Sequence, residues 1–475
     1  MKLQLRHLLI SLGIISGLIL FLWAEQRPNV FANEKYLGAF VAVEIVLACL
    51  WRFEKVFFPA MIGCFLLAGT GLPLSGASTT LRWVFLGVGA LAGFILWIRT
   101  SRAQHFGAFH LIALFCVFSA VASASVSEVP ATALLKVLSL FLLFLYAAGG
   151  GRVALAGREK SFVHGLVLAC EILVYVTSAC YFALGYALFG SPNALGAIIG
   201  VVITPVMLWS ALVTEDPKER RRGYIALALC SALLYVSVCR AAILADAVLV
   251  LVLTLALKRP RLLVRTAFGA ALFLEVMAVA NPSRMSELAD SMSGRFIFKN
   301  EEIRQGIFGS RQSPWENAVS AVKQHPWFGT GFGTSDSGDR PYTPGSAVSD
   351  EGSNREHGSS YLALAEYMGL LGIAPFVLLF LLLLRATAQV FAWMRRYGGP
   401  YHYAVPFAMI ALAGLVHASF EDWLFAVGSY LCVFFWVSVF LLIDLASGVK
   451  ADVPNSAFRS QAPFAQPLAI RQPTT

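Results

Sequence analysis

The chain has 475 residues, 58% of them hydrophobic and only 13% charged, with a formal net charge of +9. Soluble domains run nearer half apolar and a quarter charged, so no single water-soluble core can hide these side chains and lipid must solvate most of the chain. The basic excess does not point to nucleic acid, because Lys and Arg stand in short clusters between apolar segments, where the positive-inside rule expects them.

The first apolar run, Leu8 to Trp23, follows Lys2 and Arg6 and has no small-x-small cleavage pattern after it, so it reads as a retained first span. Apolar stretches then recur at 36–51, 56–72, 83–98, 106–126, 131–148, 161–189, 193–213, 223–239, 241–257, 266–281, 359–384, 401–419 and 423–444. The expected fold is therefore an all-α polytopic membrane protein of about 14 transmembrane helices. Helices 1–11 occupy 1–281, a long polar loop 282–358, helices 12–14 residues 359–449, and a disordered tail 450–475. With a cytoplasmic N-terminus, the short loops on that side (Arg52/Lys55, Arg99/Arg102, Arg152/Arg158/Lys160, Lys218 to Arg222, Lys258 to Arg265, Arg385/Arg395/Arg396), together with the N-terminus, carry about 20 basic residues. The short loops opposite carry about four. Both termini then face the cytoplasm and the long loop lies outside it.

All eight cysteines fall in apolar runs, with no C-x-x-C pair and none in the long loop, which argues against a disulfide framework or a zinc site. Within the loop, Ser313 to Lys323 has an apolar period close to 3.6 with Pro314 in its first turn, the pattern of a short interfacial helix. Asp336, Asp339, Asp350 and Glu351 lack a tight metal-ligand spacing, so no metal and no cofactor are expected.

Three residues stand out chemically. From Tyr224 to Leu257 only Arg240 and Asp246 interrupt an apolar run that makes two short helices with a tight turn near Arg240. A guanidinium there needs a partner or water, and its fork suits phosphate oxygens; snorkelling or pairing with Asp246 are the plain alternatives. Arg311 precedes the interfacial helix, among other loop cations that include Arg284, Arg295, Lys323, Arg340 and Arg355. His357 stands just before the twelfth span, where Ser359 or Ser360 can cap the helix, and a helix amino end keeps an imidazole neutral and able to accept a proton. Glu421 and Asp422, in the last outer turn, can pair with Arg240 or Arg311 or orient an acceptor, with an ordinary turn as the plain alternative. Lys136 can reach a lipid phosphate or snorkel, Asn193 can cap the eighth helix, and Glu44, Glu171, Asp246, Glu275 and Glu366 are expected protonated or paired in the bundle.

Three segments together carry a resemblance: Ser237-Val-Cys-Arg240-Ala; Arg311-x-x-x-Trp315 ahead of His325-Pro-Trp-Phe-Gly329-Thr-Gly-Phe-Gly333; and His357-Gly-Ser-Ser-Tyr-Leu-Ala-Leu-Ala-Glu366-Tyr-Met-Gly-Leu-Leu-Gly372. In order, spacing and placement around one long loop, roughly residues 190 to 440 resemble the O-antigen ligase and O-antigen polymerase family. The usual pattern there is His-Asn-x-Tyr-Leu, whereas this chain has glycine at 358 and one extra residue before Tyr361. The resemblance implies a GT-C-like membrane glycosyltransferase of the bacterial inner membrane with its active site on the periplasmic side; it is expected to invert, since no covalent intermediate is required, and to be metal-independent, since no metal-ligand pattern appears. Its implied donor is an undecaprenyl-diphosphate-linked glycan and its acceptor a polysaccharide or lipid, with membrane lipid and no nucleic acid as further partners. Residue by residue it implies Arg240, Arg311 and His357 as catalytic; Arg240, Arg311, Arg355, Asn193, Trp315 and Glu421 are the residues expected to bind substrate. A flippase of lipid-linked sugars and a non-catalytic scaffold for envelope assembly are the rival readings. A flippase would line a mid-membrane path, whereas these residues gather at one face.

The charge alternation puts Arg311 and His357 outside the cytoplasm and Arg222 and Lys450 inside it. Cysteines placed singly at 340 and 450 should respectively react with and resist an impermeant reagent in intact cells; the reverse pattern would refute the topology.

Overall fold

The computed structural model describes residues 12–13, 15–17, 34–72, 75–99, 106–185, 188–261, 309–335, 357–397 and 399–448. The described residues are helical, in the order α1 Glu34–Trp51, α2 Phe58–Ala68, α3 Ser75–Arg99, α4 Ala108–Ser125, α5 Pro130–Leu155, α6 Glu159–Ala183, α7 Pro192–Val213, α8 Pro217–Ser237, α9 Arg240–Ala256, α10 Gly309–Gln324, α11 Ser360–Gly372, α12 Ala374–Tyr397, α13 Ala404–Ala418 and α14 Tyr430–Gly448. Seven of these, α3, α4, α5, α6, α7, α12 and α14, are long and apolar enough to cross a membrane. The fold is thus an all-α polytopic membrane protein. Most of the expected first span, the expected span 266–281 and the tail from 450 lie outside the described residues. Of the long loop, 309–335 and 357–358 lie inside them.

Local sequence explains where helices begin. Pro130, Pro192 and Pro217 occupy first turns, where a missing N–H costs nothing. Ser191 caps α7 by accepting from the Ala194 amide at 3.1 Å, and Asp216 caps α8 by accepting from the Lys218 amide at 3.2 Å. Asn193, expected as a cap, instead lies inside the first turn of α7, because Ser191 already takes the cap position. α7 and α14 bury most of their surface against other helices, α13 packs against α9, α12 and α14, and α3 exposes the largest share of its length. Exposed Leu91, Ile95 and Ile98 on α3, and Val377, Leu378, Leu381 and Leu384 on α12, are the lipid-facing stripes.

The expected twelfth span, 359–384, is two helices. α11 ends beyond a break at Gly369 (φ 62°, ψ −175°), and α12 then makes the crossing from Ala374. Only glycine adopts that backbone freely, and a break in a helix strands amides that need new acceptors. The chain after α10 supplies them: Leu370 donates to the Pro326 carbonyl at 2.7 Å and Leu371 to that of Trp327 at 3.1 Å. In return Thr330 and Gly331 donate to the carbonyls of Glu366 and Tyr367 at 3.0 and 3.3 Å. The approach is so close that a Cβ on Gly329 would stand 2.3 Å from the Glu366 oxygen. Lys136, expected at a lipid phosphate or snorkelling, donates to the Gly333 carbonyl and braces the same segment.

At the opposite end of the bundle Arg152 is buried. Its Nε donates to Asp444 at 2.7 Å, its Nη2 pairs with the same carboxylate, and Nη2 lies 3.0 Å from Nε2 of His110. Arg222 also has a carboxylate partner, Glu171 at 2.6 Å, but the Arg222 side chain is 55% exposed. The two pairs should respond differently to removal of one partner. Asp444→Ala leaves a buried charge uncompensated and should destabilise the protein by about 3–5 kcal/mol. Glu171→Ala leaves behind only the 55% exposed Arg222 and should cost at most about 1 kcal/mol. Thermal unfolding in detergent distinguishes them, and equal shifts would contradict this account.

Candidate functional site

His357 is fully enclosed, two residues ahead of the Ser359 cap of α11, and both ring nitrogens are engaged. Nδ1 lies 2.7 Å from the Asp422 carboxylate, with the Tyr367 hydroxyl at 3.5 Å. Nε2 lies 3.3 Å from Glu366 and 3.2 Å from the Ser335 hydroxyl. The Tyr367 ring meets the imidazole edge-on, with centroids 5.1 Å apart. Burial alone would strip the imidazole of its charge, but hydrogen bonds to Asp422 and then Glu366, with their negative charges, outweigh it and push the pKa up to about 9. The expected neutral histidine is therefore reversed. Two carboxylates at hydrogen-bond range act more strongly on the ring than the partial charges of a helix end.

The turn that supplies Asp422 also supplies the partner of Arg311. Glu421 pairs with the Arg311 guanidinium, and both side chains are largely buried. Ser360 holds this turn in place: its amide and its hydroxyl donate to the Glu421 carbonyl at 3.1 and 2.7 Å, and the hydroxyl accepts from the Trp423 and Leu424 amides, each at 3.1 Å. Ser359 occupies the cap position of α11 but its side chain makes no capping bond, and Ser360 stitches the turn instead of capping the helix. Arg311 lies inside the first turn of α10, not ahead of it, since that helix already includes Gly309. Trp315, one turn on, donates its indole N–H to the Gly358 carbonyl at 3.3 Å. Gly358 has φ +63°, and a Cβ there would stand 2.9 Å from Cδ of Arg311, so glycine at 358 makes room for the arginine.

Arg240 opens α9 after a two-residue turn in which Val238 takes a left-handed backbone, φ 51°. A β-branched residue there is strained by roughly 1–2 kcal/mol, which the packing must offset. Gly196 of α7 presses on the turn: a Cβ on it would lie 2.2 Å from that of Cys239. Cys239 in turn lies 3.9 Å from Nε2 of His417, whose Nδ1 accepts from the Trp423 indole at 2.8 Å. The starts of α7, α9, α10 and α11 and the 421–424 turn therefore gather at one end of the bundle, with Asn193, Arg240, Arg311, Trp315, His357 and Glu421 on them. Arg240 is half-buried, and Asp246, a possible partner for it, faces Thr204 and Cys230 deeper in the helices. Arg355 and the four loop carboxylates considered for a metal lie outside the described residues. Sequence reading left Ser335 and Tyr367 unmarked and gave Glu366 no more than a place among the bundle acids. The one signal for Glu366 was a carboxylate on an otherwise apolar helix, nine residues after the histidine.

Residues 225–377 match the family model of O-antigen ligases. That stretch runs from α8 through α11 into the first turn of α12 and includes Arg240, Arg311, Trp315, Arg355 and His357, while Asn193, Glu421 and Asp422 lie outside it. The match supports assignment to the O-antigen ligase and polymerase family, and with it a glycosyltransferase-like role. No curated protein matches the chain.

A histidine whose pKa is raised on folding contributes stability that is complete below its ordinary value of 6.5 and is lost as the pH rises through about 9. The melting temperature in detergent should fall over that window in the wild type. In His357→Gln it should be lower at neutral pH and flatter across the window, and an unchanged slope in the variant would contradict the assignment.

Proposed function

We propose that this chain, which carries an O-antigen ligase domain at residues 225–377, transfers a glycan from undecaprenyl diphosphate to an acceptor hydroxyl at the periplasmic face of the bacterial inner membrane. The observation that carries this reading is the 421–422 turn, in which adjacent carboxylates hold a phosphate-binding type of cation, Arg311, and a buried histidine, His357. Cation and proton acceptor thereby come from one rigid piece of backbone, as displacement at a sugar carbon bonded to diphosphate requires.

In this mechanism Arg311 and Arg240 bind the diphosphate and offset the negative charge that grows on the departing oxygen. Trp315 and Gly358 fix the approach of the Arg311 side chain, and Glu421 holds it between turnovers and yields to phosphate. Asn193 lies at the start of α7, beside the turn that bears Arg240, where it contacts the donor. His357 does not touch the acceptor itself, because it is enclosed on all sides. The Asp422–His357–Glu366 array, with a protonated imidazole, formally carries one negative charge and takes the acceptor proton as a unit. Asp422 is the entry point, since its side chain is 22% exposed while those of His357 and Glu366 are closed off. The oxygen freed of its proton attacks the anomeric carbon as the diphosphate leaves, so one displacement inverts that centre, and no step calls for a metal or a nucleotide sugar.

Purified protein in vesicles, given only lipid-diphosphate-linked glycan and acceptor, should consume the donor and form product in the presence of chelator. Arg240→Lys and Arg311→Lys keep the charge but lose the fork, and each should lower kcat about a hundredfold. Asp422→Asn should do the same with little change in KM. Donor moved across the bilayer but not consumed would favour a flippase, and full activity of all three variants would refute the site.

A further inference from the structure

The crossing of residues 326–331 with the broken end of α11 carries an unusual surface. Trp327 is 61% exposed, Phe328 42%, Leu370 61% and Leu371 55%, four large apolar side chains on two strands of chain that touch. In a loop bathed in water such a patch is costly.

Its depth can be read from α4. The Ser123 hydroxyl donates to the Tyr367 carbonyl at 2.5 Å, and the Ser119 hydroxyl to the Gly372 carbonyl at 2.7 Å. At 1.5 Å per residue these serines lie about 3 and 9 Å below Ser125, the last residue of α4. α4 spans 18 residues, about 27 Å, close to the thickness of bilayer hydrocarbon. Gly369 and the two leucines after it thus run beside the outer third of a transmembrane helix, on which Phe118 and Val121 are also exposed. The patch continues downward as the exposed stripe of α12, Val377, Leu378, Leu381 and Leu384.

Irregular backbone survives in hydrocarbon only when its polar groups are satisfied within the protein. Here five amides of the crossing are paired within the protein. Gly329 donates to the His325 carbonyl at 3.2 Å, and the amides of Thr330, Gly331, Leu370 and Leu371 all have carbonyl acceptors in the partner segment.

We propose that this crossing is immersed in the hydrocarbon of the leaflet on the His357 side, and that its apolar face is a docking surface for lipid acyl chains. Residues 327–331 and 369–371 are then part of the membrane domain and not of the water-exposed loop. No more than about 14 Å of helix separates Gly369 from Ser360, so the start of α11 comes to the level of the lipid phosphates. The placement holds whether or not the chain transfers glycans.

Full-length protein, with the half-buried Cys180 replaced by Ser, is labelled with a nitroxide at Trp327→Cys or Leu371→Cys and reconstituted in phosphatidylethanolamine/phosphatidylglycerol vesicles. The remaining cysteines are buried and resist labelling. Phe118→Cys serves as a lipid-facing reference and exposed Lys323→Cys as an aqueous one. Power saturation should show collisions with oxygen exceeding those with a water-soluble nickel complex at 327 and 371, as at 118, and the reverse at 323. Nickel accessibility at 327 and 371 equal to that at 323 would overturn the proposal. Phe328→Cys and Leu370→Cys give the same reading should either first variant fail to fold. The measurement uses no substrate, so its outcome stands apart from that of the transfer assay.

Discussion

A charged imidazole sealed away from water has to be compensated by groups that other parts of the chain bring to it, and His357 imposes that requirement here. Its two carboxylates come from α11 and from the turn before α14, and its hydroxyl neighbour from the segment after α10. Three stretches distant in sequence are thus fixed around one ring. Loss of any partner would strand charge in a low-dielectric site, which is why Ser360 binds the 421–424 turn through four hydrogen bonds. Arg311 then falls into place as a consequence, because its partner Glu421 is the residue next to Asp422.

The break at Gly369 supports the same arrangement from the other side. By freeing amides it gives the chain after α10 something to bind, so α10 is held at both of its ends: at the start by Arg311 to the 421–422 turn and by Trp315 to Gly358 just ahead of α11, and at the finish by the crossing with α11. α4 and Lys136 of α5 anchor the crossing in turn. A segment that reads as loop is therefore as fixed as the helices, and its exposed face is apolar because lipid lies beside it.

The far end of the bundle uses charge in another way. Arg152 contributes to the positive-inside count, yet it is buried against Asp444 and His110 and joins α5 to α14. Charge clusters that orient a membrane protein during insertion can serve afterwards as packing elements, and burial distinguishes Arg152 from exposed neighbours such as Arg222.

Much of this was legible in the sequence because lipid imposes length and hydropathy on any helix that crosses it: the all-α fold, the α8–α9 pair with Arg240 at its turn, the helix that begins near Arg311, and the gathering of Arg311, His357 and Glu421 at one end. The sequence also marked 359–384 as one apolar run, since hydropathy cannot register a glycine whose backbone turns left-handed. Pairing partners were beyond it as well. Asp422 and Glu366 lie 65 and nine residues from His357, and no local pattern says that both will reach the same ring. Only the tertiary structure decided that the histidine lies between two carboxylates that raise its pKa, a property of the assembled bundle and not of any segment.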